Sequence, residues 1–175
     1  MGELILYLGG AKSGKTRAAL KEAESRPAPR YYLATAQGLD DEMRGRISRH
    51  QEERGPDWRT VEASLDPAGA LAGIPEDKPV LLDCITLWFS NLMWSRPLEG
   101  QDAAWYMDHV GKLITASAER SGALIVVSNE LGSGIVPMEP ESRLYRDMVG
   151  LAHQTLGAHA FAVYLVVAGI PVKIK

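Results

Sequence analysis

The chain reads as an α/β protein: a mostly parallel sheet flanked by helices, ending in a short edge strand. Three observations predict this. Strand-like apolar runs alternate with helix-compatible stretches, the pattern that β-α-β crossovers leave in a sequence. Leu124-Ile125-Val126-Val127 and Val163-Tyr164-Leu165-Val166-Val167 are continuously apolar, as strands covered on both faces should be. Finally, Gly9-Gly10-Ala11-Lys12-Ser13-Gly14-Lys15-Thr16 fills every fixed position of the phosphate-binding pattern GxxxxGK[ST], between an apolar run and a helix-forming one. The fold class is therefore a P-loop NTPase. Its 175 residues suit a single nucleotide-binding domain spanning 1–175.

The elements follow in order. Glu3–Leu8 is an apolar strand, and Lys15–Ser25 carries the helix-compatible run Arg17-Ala18-Ala19-Leu20-Lys21-Glu22-Ala23. Tyr31–Thr35 follows the Pro-marked loop Arg26–Arg30 as a second strand. Asp40-Asp41-Glu42 opens a helix over 40–53, where acids complement the helix dipole. Gly55-Pro56-Asp57 turns into a strand at Arg59–Glu62, and the loop Ile74–Pro79 leads to Val80–Cys84. After the loop Arg96–Gly100 a helix runs from Ala103 to Arg120, then a strand from Ala123 to Ser128. The loop Gly132–Pro140, a helix at Glu141–Gly157 and a strand at Phe161–Val167 follow. Ala168-Gly169-Ile170-Pro171 reads as a turn into a short edge strand at Val172-Lys173-Ile174.

The strand–loop–helix junction explains the first motif physically. Successive backbone N–H groups of the loop point inward, and the helix N-terminus adds partial positive charge. Gly9 and Gly14 keep side chains away from phosphate oxygens. Lys15 reaches the β- and γ-phosphates, and the Thr16 hydroxyl is a ligand for Mg²⁺.

Composition removes several classes. The net charge of −3 gives no global basic field for nucleic acid or an anionic membrane. One cysteine, Cys84, excludes an intramolecular disulfide and a cysteine-built zinc site. The start Met1-Gly2-Glu3 lacks the basic n-region of a signal peptide, and no apolar run approaches the roughly 20 residues of a membrane span. A cytoplasmic protein is expected.

Other constellations admit two readings each. Val80-Leu81-Leu82-Asp83 is either an ordinary strand end or the carboxylate that holds magnesium beside a P-loop. Ser128-Asn129-Glu130-Leu131-Gly132-Ser133-Gly134 is either a plain turn or a segment facing the ligand, since ligands bind beyond the carboxyl ends of parallel strands. Met43, Ile47 and His50 share one helical stripe with Arg46 and Arg54 flanking it. His50 is thus a core histidine or an imidazole nucleophile for a phosphoryl centre. Trp88, Phe89, Met93 and Trp94 form a cluster that is either core or a surface against a large apolar ligand or a neighbouring subunit, and several of them are expected at such a boundary. His109, His153 and His159 have no ligand-like spacing.

Taken together, several blocks carry a resemblance. They are Gly9–Arg17, Tyr32-Leu33-Ala34-Thr35-Ala36, Leu39-Asp40-Asp41-Glu42-Met43, Arg46-Ile47-Ser48-Arg49-His50, Trp58-Arg59-Thr60-Val61-Glu62, Asn129-Glu130-Leu131-Gly132-Ser133-Gly134-Ile135-Val136-Pro137 and Gly169-Ile170-Pro171-Val172-Lys173-Ile174-Lys175. In this order they resemble the bifunctional adenosylcobinamide kinase/adenosylcobinamide-phosphate guanylyltransferase family of cobalamin biosynthesis, from the first strand to the last residue. The resemblance implies a RecA-like P-loop fold and a homotrimer. It implies phosphorylation of adenosylcobinamide by a nucleoside triphosphate, then GMP transfer from GTP through a guanylyl-histidine, with Mg²⁺ as cofactor and ATP and GTP as substrates. The matching histidine is His50. Nucleotide-binding positions carried over are Gly9, Gly10, Ala11, Lys12, Ser13, Gly14, Lys15, Thr16, Ala34, Thr35, Ala36, Gln51, Glu52, Glu53, Arg54, Glu62 and Asp83, with Thr16 on the metal. The chain departs from the family pattern at Arg49, where a second histidine can occur, and at Asp83, where a glutamate can occur.

Overall fold

The computed structural model describes residues 2–38, 45 and 54–175. Its elements are β1 (Leu4–Gly9), α1 (Lys15–Glu24), β2 (Arg30–Ala34), β3 (Trp58–Glu62), α2 (Pro67–Ala72), β4 (Val80–Asp83), α3 (Ile85–Trp94), α4 (Ala103–Ala118), β5 (Leu124–Asn129), α5 (Pro140–His159), β6 (Ala162–Val167) and β7 (Ile170–Lys173). Most of the helix expected over 40–53 lies outside the described residues, including His50, Gln51, Glu52 and Glu53.

The strands form one sheet in the order β3-β2-β4-β5-β1-β6-β7. All neighbouring pairs are parallel except β6 with β7, so the mostly parallel sheet with a C-terminal edge strand is as expected. The central strands are apolar throughout because both faces are covered. Even-numbered Leu4, Leu6, Leu82, Leu124 and Val126 pack against α2, α3, α4 and α5. Odd-numbered Ile5, Tyr7, Leu81, Ile125 and Val127 pack against Ala19 and Ala23 of α1. The side-chain period of two thus divides one set of strands between two cores.

Caps set several helix starts. Asp102 accepts the Trp105 N–H at 2.9 Å and Asp66 accepts the Gly69 N–H at 2.9 Å, while Pro140 occupies the first turn of α5. α1 begins differently. Its cap is Gly14 in the left-handed region (φ 91°), with no side chain closing the helix end. Gly14 therefore offers no side chain to the first-turn N–H groups.

Two expectations need correction. The Trp88–Trp94 segment is a helix, α3, missed because an apolar run of this length lacks a polar face to reveal its period. Trp88, Phe89 and Met93 are buried inside the fold rather than at a boundary, and only Trp94 faces outward, 73% exposed. The last strand also starts earlier than expected: the turn is Ala168-Gly169, both at positive φ, and Ile170 and Pro171 are already paired to β6. Proline fits there because this is an edge strand.

Candidate nucleotide site

The loop after β1 and the first turns of α1 line a cleft of about 870 Å³. Its walls are Lys12, Ser13, Gly14, Lys15 and Thr16 of the loop, Arg17, Leu20, Lys21 and Glu24 of α1, Tyr32 of β2, and Arg54. Five cations face one carboxylate. Lys12, Arg17 and Lys21 make no ion pair with described residues. Arg17 and Lys21 lie one helical turn apart and so present their charges on one face. A glycine-capped helix N-terminus inside such a rim suits a polyanion.

The loop is held by close backbone packing. A side chain at Gly9 would meet Ser13 Oγ at 2.5 Å and the Val166 carbonyl at 2.6 Å. The Gly169 N–H donates to the Ser13 carbonyl at 2.8 Å, and a Cβ on Gly14 would stand 3.0 Å from Gly169 Cα. The β6–β7 turn therefore braces the loop from outside. Lys15 is buried and its Nζ donates to the Gly10 carbonyl at 3.1 Å, arching across the loop. Ser13 Oγ is buried with no hydrogen-bond partner among the described residues.

The next strand tips bring in the carboxylate. Asp83 ends β4, and its Oδ2 accepts the Tyr32 hydroxyl proton at 2.9 Å. Burial, reinforced by Asp83, holds the Tyr32 hydroxyl protonated well above its usual range, so it stays a donor. The Arg54 guanidinium lies 3.6 Å from the Tyr32 ring centroid and donates to Thr60 Oγ1 at 3.2 Å. One chain of contacts thus runs from Arg54 over Tyr32 to Asp83. Cys84 beside it is buried, and burial pushes its thiol up to about 11, so it is no nucleophile at neutral pH.

The remaining expected positions divide. Thr35 is fully buried, and its hydroxyl accepts the Cys84 N–H at 2.7 Å and donates to the Cys84 carbonyl at 2.9 Å. It fastens β2 to β4. Ala34 and Ala36 flank it, partly buried. Glu62 is exposed at the end of β3, paired with Ala34, and does not line the cleft. Gly9 supports the loop from beneath, while Gly10 and Ala11 form its exposed crest.

Beyond β5, the Glu130 N–H donates to the Gly9 carbonyl at 3.0 Å, locking this strand end to the phosphate loop. Burial works against ionisation of Glu130, but bonds from Ser133 and from the Gly132 N–H outweigh it and hold the carboxyl below its usual range. On the opposite face Ser128 Oγ lies 2.7 Å from His153 Nε2 of α5, and burial pushes that imidazole down to about 4. Sequence reading missed Tyr32 and Arg17 as lining residues. The Arg17–Lys21 spacing was a usable signal, whereas the Tyr32–Asp83 pair depends on strand register across 51 positions.

Asp83 and Thr16 also bear on metal binding. Among the described residues no three His, Cys, Asp or Glu side chains gather to hold a metal alone. A hydroxyl and a carboxylate oxygen, both hard donors, suit Mg²⁺ shared with phosphate oxygens and water.

Residues 5–174 match the family described as cobinamide kinase / cobinamide phosphate guanyltransferase. The chain is 40% identical to the bifunctional adenosylcobalamin biosynthesis protein CobU of Salmonella typhimurium, over 98% of this chain and 99% of that one. It is 38% identical to the bifunctional adenosylcobalamin biosynthesis protein CobP of Pseudomonas aeruginosa, over 97% and 96% of the two chains. Among solved structures it resembles the RadB recombinase (TM-score 0.51, 18% identity, 94% of this chain and 74% of that one). It also resembles the P4 protein of bacteriophage phi13 (TM-score 0.51, 15% identity, 98% and 53%). These two likenesses concern the fold alone, a mostly parallel sheet flanked by helices. The chain belongs to the cobinamide kinase / cobinamide phosphate guanyltransferase family.

Proposed function

We propose that this member of the family carries out both reactions on one nucleotide cleft, acting as a cytoplasmic homotrimer of single-domain subunits. The observation that carries the reading is the glycine-capped N-terminus of α1 set inside a cationic rim, in a chain that matches the family from residue 5 to 174. In the first reaction the aminopropanol hydroxyl of adenosylcobinamide bonds to the γ-phosphorus of a triphosphate such as ATP or GTP. The bond to the β–γ bridging oxygen breaks, the nucleoside diphosphate leaves, and the hydroxyl proton passes to water. Lys15 and the α1 amides stabilise charge on the β- and γ-oxygens, which is what phosphoryl transfer chiefly requires. Thr16 and Asp83 would hold Mg²⁺, which would supply further neutralisation of the phosphate oxygens.

In the second reaction a nitrogen of the His50 imidazole bonds to the α-phosphorus of GTP and pyrophosphate leaves. A phosphate oxygen of adenosylcobinamide phosphate then bonds to the same phosphorus. The P–N bond breaks, giving adenosylcobinamide-GDP and restoring His50. Splitting the transfer gives each displacement a good leaving group or acceptor. Arg54, Gln51, Glu52, Glu53, Glu62, Ala34, Thr35 and Ala36 complete the proposed nucleotide surroundings. The net charge of −3 favours no nucleic-acid partner.

Corrinoid product analysis tests this reading. The wild type should form adenosylcobinamide phosphate and then adenosylcobinamide-GDP. His50→Ala should stop at the phosphate. Normal GDP product from His50→Ala would reassign the nucleophile, and no corrinoid product from the wild type would leave a nucleotide-dependent switch instead.

A further inference from the structure

We propose that Asn129, positioned by Thr86, is a catalytic residue of the phosphoryl-transfer reaction and not of guanylyl transfer. This rests on the bifunctional reading above and assigns the two reactions to opposite ends of one bound triphosphate. β5 lies between the strand that leads into the phosphate loop and the strand that ends in Asp83. In register, Asn129 stands opposite Gly9, and Val127 stands opposite Asp83. Asn129 is therefore one same-face step beyond Asp83, between it and the loop. Ile125 and Val127 belong to the core beneath α1, so alternation puts Asn129 on that face as well.

Its amide is oriented. Nδ2 donates one hydrogen to Thr86 Oγ1 at 2.9 Å. Thr86 is 4% exposed, its Oγ1 is 3.0 Å from Cys84 Sγ, and its carbonyl accepts the Tyr145 hydroxyl at 2.8 Å. The second amide hydrogen and Oδ1 of Asn129 bond to no described residue. Glu130 next to it cannot do the same work, because its carboxylate is turned back onto the N–H groups of Gly132 and Ser133. Asn129 thus offers a positioned neutral donor at the strand tips beside the phosphate loop, opposite Gly9. Arg17 and Lys21 line the cleft along α1, so a triphosphate laid from the strand tips along α1 would present its γ-end to Asn129.

The chemistry separates the two reactions. When the acceptor hydroxyl bonds to the γ-phosphorus and the bridging oxygen departs, negative charge redistributes over the γ-oxygens, and an N–H aimed there is worth more in the transition state. When His50 displaces pyrophosphate, the γ-phosphate is a spectator within the leaving group. A contact to it is then nearly uniform between ground and transition states and leaves the rate almost unchanged.

The test uses the full-length protein with both reactions assayed separately. Asn129→Ala should lower kcat for adenosylcobinamide phosphorylation about 100-fold, as loss of one preorganised donor does, with KM for the triphosphate little altered. Covalent GMP labelling from GTP should stay within about threefold of wild type, as a uniform contact predicts. Asn129→Asp keeps the shape, replaces the donor by a like charge, and should lose phosphorylation at least as severely. Thr86→Val should lower phosphorylation in the same selective way, and Thr86→Ser should restore it. Undiminished phosphorylation in Asn129→Ala, or GMP labelling lost in proportion in both Asn129 variants, would overturn the proposal. A wild type unable to carry out one of the reactions would instead overturn the bifunctional reading, so the two failures are distinguishable.

Discussion

His153 shows how one buried side chain couples this fold to pH. It bonds to Ser128 beneath the strand tip that carries Asn129, and burial depresses its basicity from 6.5 to about 4. The unfolded chain then binds the proton more readily than the folded one. Stability is therefore fully present above the unfolded value near 6.5 and is lost as the pH falls toward 4. From pH 7 to pH 5 the expected loss is about 2 kcal/mol. Denaturant titrations over that window would read it, and His153→Gln should flatten most of the slope. Burial and Lys112 depress His109 too, which adds a smaller part of the same sign. An unchanged slope in His153→Gln would show that the imidazole takes up its proton as readily in the folded chain as in the unfolded one, and would contradict the depression. At this scale much of the site was legible. Lys15 and Thr16 follow from a local pattern, and Asp83 from a strand end. Tyr32, Thr86 and Tyr145 were not, because their contacts join elements 51, 43 and 59 positions apart. Register across strands never visible side by side in the sequence decides those pairs.

The phosphate loop depends on a neighbouring turn as much as on its own glycines. Gly14 sits at φ 91°, and a Cβ there would stand 3.0 Å from Gly169 Cα, backbone that cannot step aside cheaply. Gly14→Ala should cost about 1–3 kcal/mol of local strain, relieved by shifting the loop. GTP affinity by calorimetry should fall accordingly, roughly 5- to 150-fold. Gly169→Ala carries a φ penalty at +81° but meets nothing within 4 Å, so it should weaken binding less. Equal effects would show that the brace is unimportant. Element by element, the strands of the central sheet were legible because they are buried on both faces and read as unbroken apolar runs. The ends of β5 and α5 shift by only a residue or two from expectation. α3 was hidden by its own burial: Ile85, Thr86, Trp88, Phe89, Leu92 and Met93 are all buried, leaving little of the polar face that announces a helix.

The chain leaves apolar side chains exposed at one end of its sheet. Val167, Ile170, Val172 and Ile174 on and around β7 are 50–65% exposed, and β7 is paired on one side only. Ile135 and Met138 are 97% and 89% exposed in the loop before α5. Edge strands and patches of this kind are normally covered. The proposed homotrimer would cover them, and light scattering should give the mass of three chains. A monomer at micromolar concentration would contradict that assembly. The central claim remains that one small P-loop subunit carries GMP covalently on His50 between its two reactions. Intact-protein mass spectrometry after incubation with GTP and Mg²⁺ addresses it most directly. The wild type should gain the mass of one guanylyl group, labile to acid and stable to alkali, and His50→Ala should gain none. An unmodified wild type, or an equal gain in His50→Ala, would contradict it.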